Sequence, residues 1–136
     1  MFYLATTPPP VYTTYFAGAL TFNSPNYTRH GGSGSFYYQA IEVRVPVTGE
    51  YTFTASGSFD TFGYIYQGNF YSSYPEYNIV KEDDDSAGNG QFKITATLRS
   101  DLRYILVFTT FDQLKTTSFN VAASGPGSPS LVAISA

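Results

Sequence analysis

Two strands joined by a tight turn are indicated by residues 41–59, which read Ile41-Glu-Val-Arg-Val-Pro-Val-Thr-Gly-Glu-Tyr-Thr-Phe-Thr-Ala-Ser-Gly-Ser-Phe59. Every second residue from Ile41 to Val47 is apolar, and every second residue from Tyr51 to Phe59 is aromatic or small. A period of two is that of a strand with one buried face. Thr48-Gly49, which lies between the two runs, predicts a tight turn.

Further strands are predicted at Phe62–Tyr66, Phe92–Leu98 and Phe119–Ala123, and Tyr104–Phe108 is apolar on both faces, as in a central strand. The 136 residues include 13 tyrosines and 12 phenylalanines but only 12% charged residues, a composition that favours strands. No window has the apolar spacing of a capped helix. The sequence therefore predicts an all-β fold, an antiparallel β-sandwich of jelly-roll or immunoglobulin-like type.

Three parts of the chain are expected. Residues 1–15 contain the run Pro8-Pro9-Pro10 and predict an extended arm. Residues 16–124 predict the sandwich domain. Residues 125–136 predict a turn followed by a short apolar strand at Leu131–Ile134.

Composition excludes several classes of partner. A net charge of −3 and an isoelectric point near 4.8 argue against binding to nucleic acid, which favours a basic surface. No apolar run is long enough to span a membrane, and the absence of cysteine excludes disulfides. Met1–Leu4 lack the basic start and long apolar centre of a signal peptide, so if the protein is secreted we expect this chain to be its mature part or an excerpt.

Three ordered segments carry a family resemblance: Tyr51–Tyr66, then Asp83–Ser86, then Tyr104–Thr110 leading to Ser118–Val121. Together they resemble the bacterial pre-peptidase C-terminal domains and related repeats of large eukaryotic extracellular proteins. The resemblance covers residues 36–124. It implies a jelly-roll-like sandwich that is often calcium-stabilised, lies outside the cell and accompanies enzymes without being one. The loop after Tyr66 is longer and more aromatic than the family pattern, and the arm lies outside it.

The densest charge in the chain is the acidic run Glu82–Asp85. Neighbouring aspartates repel one another unless a cation or water screens them, and Ca²⁺ is bound by six to eight oxygens. The resemblance places Asp60 beside this loop, so Asp60 with two of Asp83, Asp84 and Asp85 would form a Ca²⁺ site. The alternative is a solvated hairpin in which aspartate and asparagine side chains cap turns.

Catalytic chemistry has few candidates. His30 is the only histidine, and it lies in the loop Arg29–Ser35, which is rich in glycine and serine. The nucleophile motif Gly-x-Ser-x-Gly is absent, and so is cysteine. We therefore assign no catalytic residue and expect a protein that is not an enzyme.

The stretch from Phe62 to Tyr77 is rich in aromatic residues. We expect Phe62, Tyr64 and Tyr66 to pack in the core. Tyr71, Tyr74 and Tyr77 fit two alternatives equally, a surface that binds sugar or protein and a set of side chains that hold their own loop. Asn26-Tyr27-Thr28 is a glycosylation sequon, and Asn26 is the predicted site.

The arm carries apolar side chains on both sides of its prolines: Phe2, Tyr3, Leu4, Val11, Tyr12, Tyr15 and Phe16. An arm of this kind either packs on its own domain or adds a strand to the sheet of another copy. Our first hypothesis is a structural subunit of an extracellular filament or surface layer, which polymerises head to tail through this arm by strand exchange. The alternative is a non-catalytic, calcium-stabilised domain of a secreted enzyme or adhesin, which binds carbohydrate or protein.

Overall fold

The computed structural model describes residues 9–135, and these form an antiparallel all-β fold. This range contains eleven strands and no helix. In chain order they are β1 (Tyr12–Leu20), β2 (Asn26–Tyr27), β3 (Phe36–Tyr37), β4 (Gln39–Arg44), β5 (Gly49–Gly57), β6 (Thr61–Gln67), β7 (Ile79–Asp83), β8 (Lys93–Leu98), β9 (Tyr104–Thr110), β10 (Thr117–Gly125) and β11 (Ser130–Ile134).

The strands form two large sheets and one small one. The four-stranded sheet has the order β1-β10-β5-β8, and the five-stranded sheet has the order β11-β4-β9-β6-β7. β2 and β3 pair separately as a two-stranded ribbon. The two large sheets pack face to face, which confirms the predicted antiparallel sandwich. The jelly-roll or immunoglobulin-like type stays a prediction.

The inner core fills the space between the two large sheets. Phe108 of β9 and Phe119 of β10 belong to opposite sheets, and their rings stack with centroids 3.7 Å apart. Phe92 lies beside Phe108 at 5.8 Å and is fully buried. Apolar side chains that alternate along β4, β5, β6 and β8 complete this core. The period of two seen in the sequence is therefore the period at which side chains enter it.

A second core, here called the outer core, covers the other face of the five-stranded sheet. Tyr64 and Tyr66 of β6 and Ile105 and Val107 of β9 point into it. Tyr27, Phe36, Tyr38 and Phe70 cover them from the ribbon and from the loop after β6. β9 is consequently buried on both faces, as its continuous apolar sequence predicts.

Two predicted strands end earlier than expected. β4 ends at Arg44 rather than Val47, because Pro46 has no N–H with which to continue the ladder. β5 ends at Gly57 rather than Phe59, whose side chain is 43% exposed.

The N-terminal boundary of the sandwich also differs from the expected one. Tyr12–Tyr15, assigned to the arm from the sequence, lie in β1, which pairs with β10 of the same chain from Tyr12 opposite Gly125 to Leu20 opposite Thr117. The alternation of less exposed and more exposed residues in β1 begins before residue 16, at Thr14. It continues through Phe16 to Leu20, which pack against the inner core. The predicted C-terminal strand pairs with β4 and is an edge of the five-stranded sheet.

Across the part of the chain that the structure describes, no helix is long and apolar enough to cross a membrane.

Candidate functional site

The feature that stands out from the sandwich is the segment between β6 and β7, residues 68–78, here called the tyrosine loop. Its inner side is held by Phe70, which is 7% exposed and lies in the outer core. The Phe70 ring is 4.8 Å from that of Tyr66 and 5.4 Å from that of Tyr38, measured between centroids. One aromatic side chain thus fixes the loop to the sheet beneath it.

Hydrogen bonds fix the backbone of the tyrosine loop. The Tyr66 hydroxyl donates to the Pro75 carbonyl at 2.6 Å, and the Gln67 N–H donates to the Asn78 carbonyl at 3.0 Å. Asn78 adopts a left-handed φ of 70°, which asparagine tolerates better than most residues, and its amide donates to the Asn69 carbonyl at 3.0 Å. The two ends of the loop are therefore bonded to each other as well as to the sheet.

Arg103, just before β9, supports the start of the same loop. Its Nη1 donates to the Gly68 carbonyl and to the Asn69 side chain, both at 2.9 Å. Its Nε donates to a Glu42 carboxylate oxygen at 2.6 Å. This hydrogen bond, aided by the charges of Arg103 and Arg44, lowers the pKa of Glu42 below its ordinary value, so the carboxylate stays ionised at neutral pH.

Three tyrosine side chains point out of this fixed loop. Tyr71, Tyr74 and Tyr77 are 49%, 59% and 61% exposed. With Asn78 they surround a pocket of about 440 Å³, and the rings of Tyr74 and Tyr77 meet edge to face at 6.3 Å. Phe70 and Tyr66 hold the loop to the sheet, and Asn69 donates to the Tyr71 hydroxyl at 3.3 Å, so Tyr71 also contacts its own loop. Both alternatives for the three tyrosines stay open.

The tyrosines of β6 pack in the core as expected. Tyr64 and Tyr66 have no exposed surface, and Phe62 packs partly buried against them. Burial raises the pKa of Tyr64 to about 12 and raises that of Tyr66 still further, so both hydroxyls stay protonated and can donate.

Arg29 is the buried residue that sequence reasoning missed. It is 6% exposed, and its guanidinium carbon lies over the rings of Phe36, Phe62 and Phe111 at 4.7, 4.4 and 5.3 Å. Its Nη2 donates to the Phe111 carbonyl at 2.9 Å. Within residues 9–135 it makes no salt bridge, so stacking on aromatic rings replaces the usual carboxylate. No local signal marks it, because its three rings come from distant parts of the chain.

The predicted metal ligands divide into two groups. Asp83 caps the turn between β7 and β8: it accepts from the Ser86 N–H at 3.0 Å, from the Ser86 hydroxyl at 2.6 Å and from the Lys93 N–H at 2.9 Å. Burial alone would raise the pKa of Asp83, but the bonds from Lys93 and Ser86 bring it below its ordinary value. Asp83 thus caps a turn as the alternative predicted, but β7 and β8 belong to different sheets and do not form a hairpin.

Asp60 and Asp85 lie close enough to Asp84 to act on its carboxylate. Burial and the charges of Asp85 and Asp60 raise the pKa of Asp84. Asp60 packs closely against Gly90: a Cβ added at Gly90 would lie only 2.0 Å from Oδ1 of Asp60. In the described part of the chain no group of three or more acidic, histidine or cysteine side chains is placed to hold a metal. The Ca²⁺ site stays a prediction.

The remaining candidate residues lie apart from the tyrosine loop. His30 is exposed, and its Nε2 is 4.0 Å from a carboxylate oxygen of Glu82. Asn26 is exposed in β2, where it alternates with buried Tyr27, and its glycosylation stays a prediction.

The predicted arm residues fall on both sides of the described boundary. Phe2, Tyr3 and Leu4 lie outside the described residues. The others lie at or in β1: Val11, Tyr12 and Tyr15 are exposed, and Phe16 stacks on Phe119 at 6.1 Å.

Comparison with known proteins finds no matching family model, no similar curated protein and no similar solved structure. The resemblance to the pre-peptidase C-terminal domains stays a prediction.

Proposed function

We propose that this protein is a non-catalytic binding domain that holds a carbohydrate against Tyr71, Tyr74 and Tyr77. The observation that carries the proposal is three exposed tyrosines on a loop whose backbone is bonded at both ends. Exposed aromatic clusters on a rigid support are typical of binding surfaces. The face of a tyrosine ring packs on the apolar face of a sugar, while its hydroxyl can bond to sugar hydroxyls.

Rigidity supports the proposal because it lowers the entropic cost of binding. Each tyrosine has only two side-chain torsions to restrict. The loop that carries them is already fixed by Phe70, by the Tyr66 hydroxyl and by Arg103. A ligand therefore meets a surface that needs little further ordering.

A glycan array followed by titration of each hit tests the proposal. We expect selective binding that Tyr71→Ala and Tyr74→Ala each weaken about tenfold, which corresponds to about 1.4 kcal/mol. Tyr15→Ala is the matched control, since Tyr15 is 73% exposed on β1 in the other sheet. An array without hits, or equal losses in all three variants, would contradict the proposal.

A second candidate is the filament hypothesis. It is favoured by the position of β1 at an edge of the four-stranded sheet and by the exposure of Val11, Tyr12 and Tyr15. Since Tyr12–Leu20 pair with β10 of their own chain, a donated strand would come from the residues before β1. Electron microscopy of the full chain and of a variant lacking residues 1–8 tests it, and filaments that form equally in both would exclude this donor segment.

Extracellular location, glycosylation at Asn26 and bound Ca²⁺ accompany either candidate as proposals. Thermal unfolding with Ca²⁺ and with chelator tests the last, because an ion bound only to the folded state raises the midpoint. Equal midpoints would contradict it.

A further inference from the structure

Three pockets lie side by side along the outer face of the five-stranded sheet, and the tyrosine loop forms the first of them. Tyr71 lines the pocket of the tyrosine loop and also a second pocket of about 330 Å³, whose floor includes Ile105. Ile134 and Ser135 line that second pocket and also a third one of about 550 Å³ beside Gln39. Shared walls make the three pockets neighbours in a row, here called the outer groove.

The length of the outer groove follows from the order of the strands. It runs from the end of β11 past β4 and β9 to the loop after β6. β11 and β6 are separated by three inter-strand spacings of about 4.8 Å each, or about 14 Å. The groove is therefore longer than one sugar unit and suits an extended chain.

The chemistry of the walls is neutral. Arg103 is the only charged residue in the walls of these three pockets, and Glu42 neutralises it through the 2.6 Å contact described above. The other polar groups are amides and hydroxyls. Gln39 bonds through its Nε2 to the Ala40 carbonyl, which leaves its amide oxygen as an acceptor. The side chains of Asn23 and Ser135 make no hydrogen bond to another described residue, so they are open to a ligand.

We propose that the outer groove binds a linear, neutral polysaccharide, with one end of the bound segment on Tyr74 and Tyr77 and the other between Asn23 and Gln39. This inference rests on the proposed function, to which it adds the class of ligand and the course of the chain. Tyrosine rings supply stacking at one end, and amide groups, which both donate and accept, match sugar hydroxyls at the other. An acidic polysaccharide would find no unpaired cation in these walls.

Calorimetric titration of the full chain with oligosaccharides of increasing length tests the proposal. The probes are dimers, tetramers and hexamers from cellulose, chitin, starch and mannan, together with oligogalacturonates of the same lengths. For one of the neutral series we expect affinity to rise about tenfold or more from dimer to hexamer. The oligogalacturonates should bind more weakly at every length.

Variants at the two ends of the groove separate this inference from the proposed function. Tyr74→Ala should weaken dimer and hexamer alike, whereas Gln39→Ala should weaken the hexamer and leave the dimer unchanged. Tyr15→Ala serves again as the control. If Tyr74→Ala weakens binding while chain length and Gln39→Ala have no effect, binding along the outer groove is refuted and binding at the tyrosine loop is supported. If no oligosaccharide binds, both proposals fail. Tighter binding of oligogalacturonates would overturn the neutral ligand class.

Discussion

Gly63 in β6 offers a test of how the two large sheets pack. A Cβ at this position would lie 2.8 Å from Cδ1 and Cε1 of Phe92 and 2.9 Å from its Cδ2. Carbon atoms pack best at about 3.5–4.0 Å, so a methyl group would overlap the ring by about 0.7 Å. The Phe92 ring cannot turn away easily, because it is fully buried and lies beside Phe108. We expect Gly63→Ala to destabilise the fold by about 2–3 kcal/mol, the upper part of the range for overpacking.

Gly57 provides the matched control on β5. A Cβ there would lie 3.5 Å from the nearest atoms of Thr117 and Thr61, an ordinary contact. Its φ is not positive, so alanine can adopt the same backbone conformation. Because alanine reduces the entropy of the unfolded chain, Gly57→Ala should stabilise the fold by about 0.5 kcal/mol. The same chemical change therefore has opposite expected signs at the two positions.

Urea unfolding monitored by tyrosine fluorescence measures both effects. The source of the Gly63 effect is tested by a double-mutant cycle with Phe92→Leu. Since the smaller side chain makes room for the new methyl group, the double variant should be more stable than the sum of the single effects by about 0.5–3 kcal/mol. The reasoning fails if the free energy of unfolding of Gly63→Ala lies within about 0.5 kcal/mol of that of the unmodified chain. It also fails if the effects of Gly63→Ala and Phe92→Leu are additive.

Three further predictions concern the outer layer, which consists of the β2–β3 ribbon with its connecting loop and of the tyrosine loop, the segments that cover the outer core. Tyr66→Phe removes the donor to the Pro75 carbonyl and should cost about 1 kcal/mol, with faster amide exchange in the tyrosine loop; unchanged exchange would show that the bond does not fix the loop. Arg29→Ala removes three ring contacts and three hydrogen bonds and should cost about 2–4 kcal/mol in urea unfolding, and an unaltered midpoint would contradict this role. Because Arg103 lowers the pKa of Glu42, the stability it supplies is present above the unfolded-state pKa and is lost as pH falls through the folded-state value. The melting temperature should therefore fall more steeply between about pH 5 and pH 3 than in Glu42→Gln, and parallel curves would argue against it.

Sequence alone could predict β4, β5, β8 and β10 because buried and more exposed residues alternate along them. From Tyr51 to Gly57, aromatic and small residues alternate with Thr and Ser, and this local pattern is enough to predict β5. β1 was harder to find, since Thr13, Ala17, Gly18 and Ala19 weaken the contrast between its two faces. β1 is defined mainly by its pairing with β10, which lies far away in the sequence, so a short stretch of sequence does not show it.

The outer layer was harder still to predict, because long-range contacts determine it. β2 and β3 have two residues each, too few for a period to show. Arg29 is buried by rings at positions 36, 62 and 111, and no spacing in the sequence relates these positions. For the candidate site, the sequence placed Tyr64 and Tyr66 in the core and left two alternatives for Tyr71, Tyr74 and Tyr77, whose exposure only the fold shows. The walls of the outer groove come from β4, β9 and β11, so they become neighbours only after folding.

The outer layer is attached to the sandwich through side chains that point outward from β6 and from β9 and its flanks, and this has a consequence for function. Tyr64 donates to the His30 carbonyl at 2.5 Å, Tyr66 to the Pro75 carbonyl, and Thr109 to the Tyr37 carbonyl at 2.7 Å. Arg103 likewise donates to Gly68. Each bond runs from a side chain of the buried sheet to a backbone carbonyl of the layer, so it does not depend on which side chains the layer exposes. Substitution of the exposed Tyr74 or Tyr77 should therefore leave the loop conformation unchanged. Under the proposed function, such a substitution would change the ligand while the sandwich stays the same.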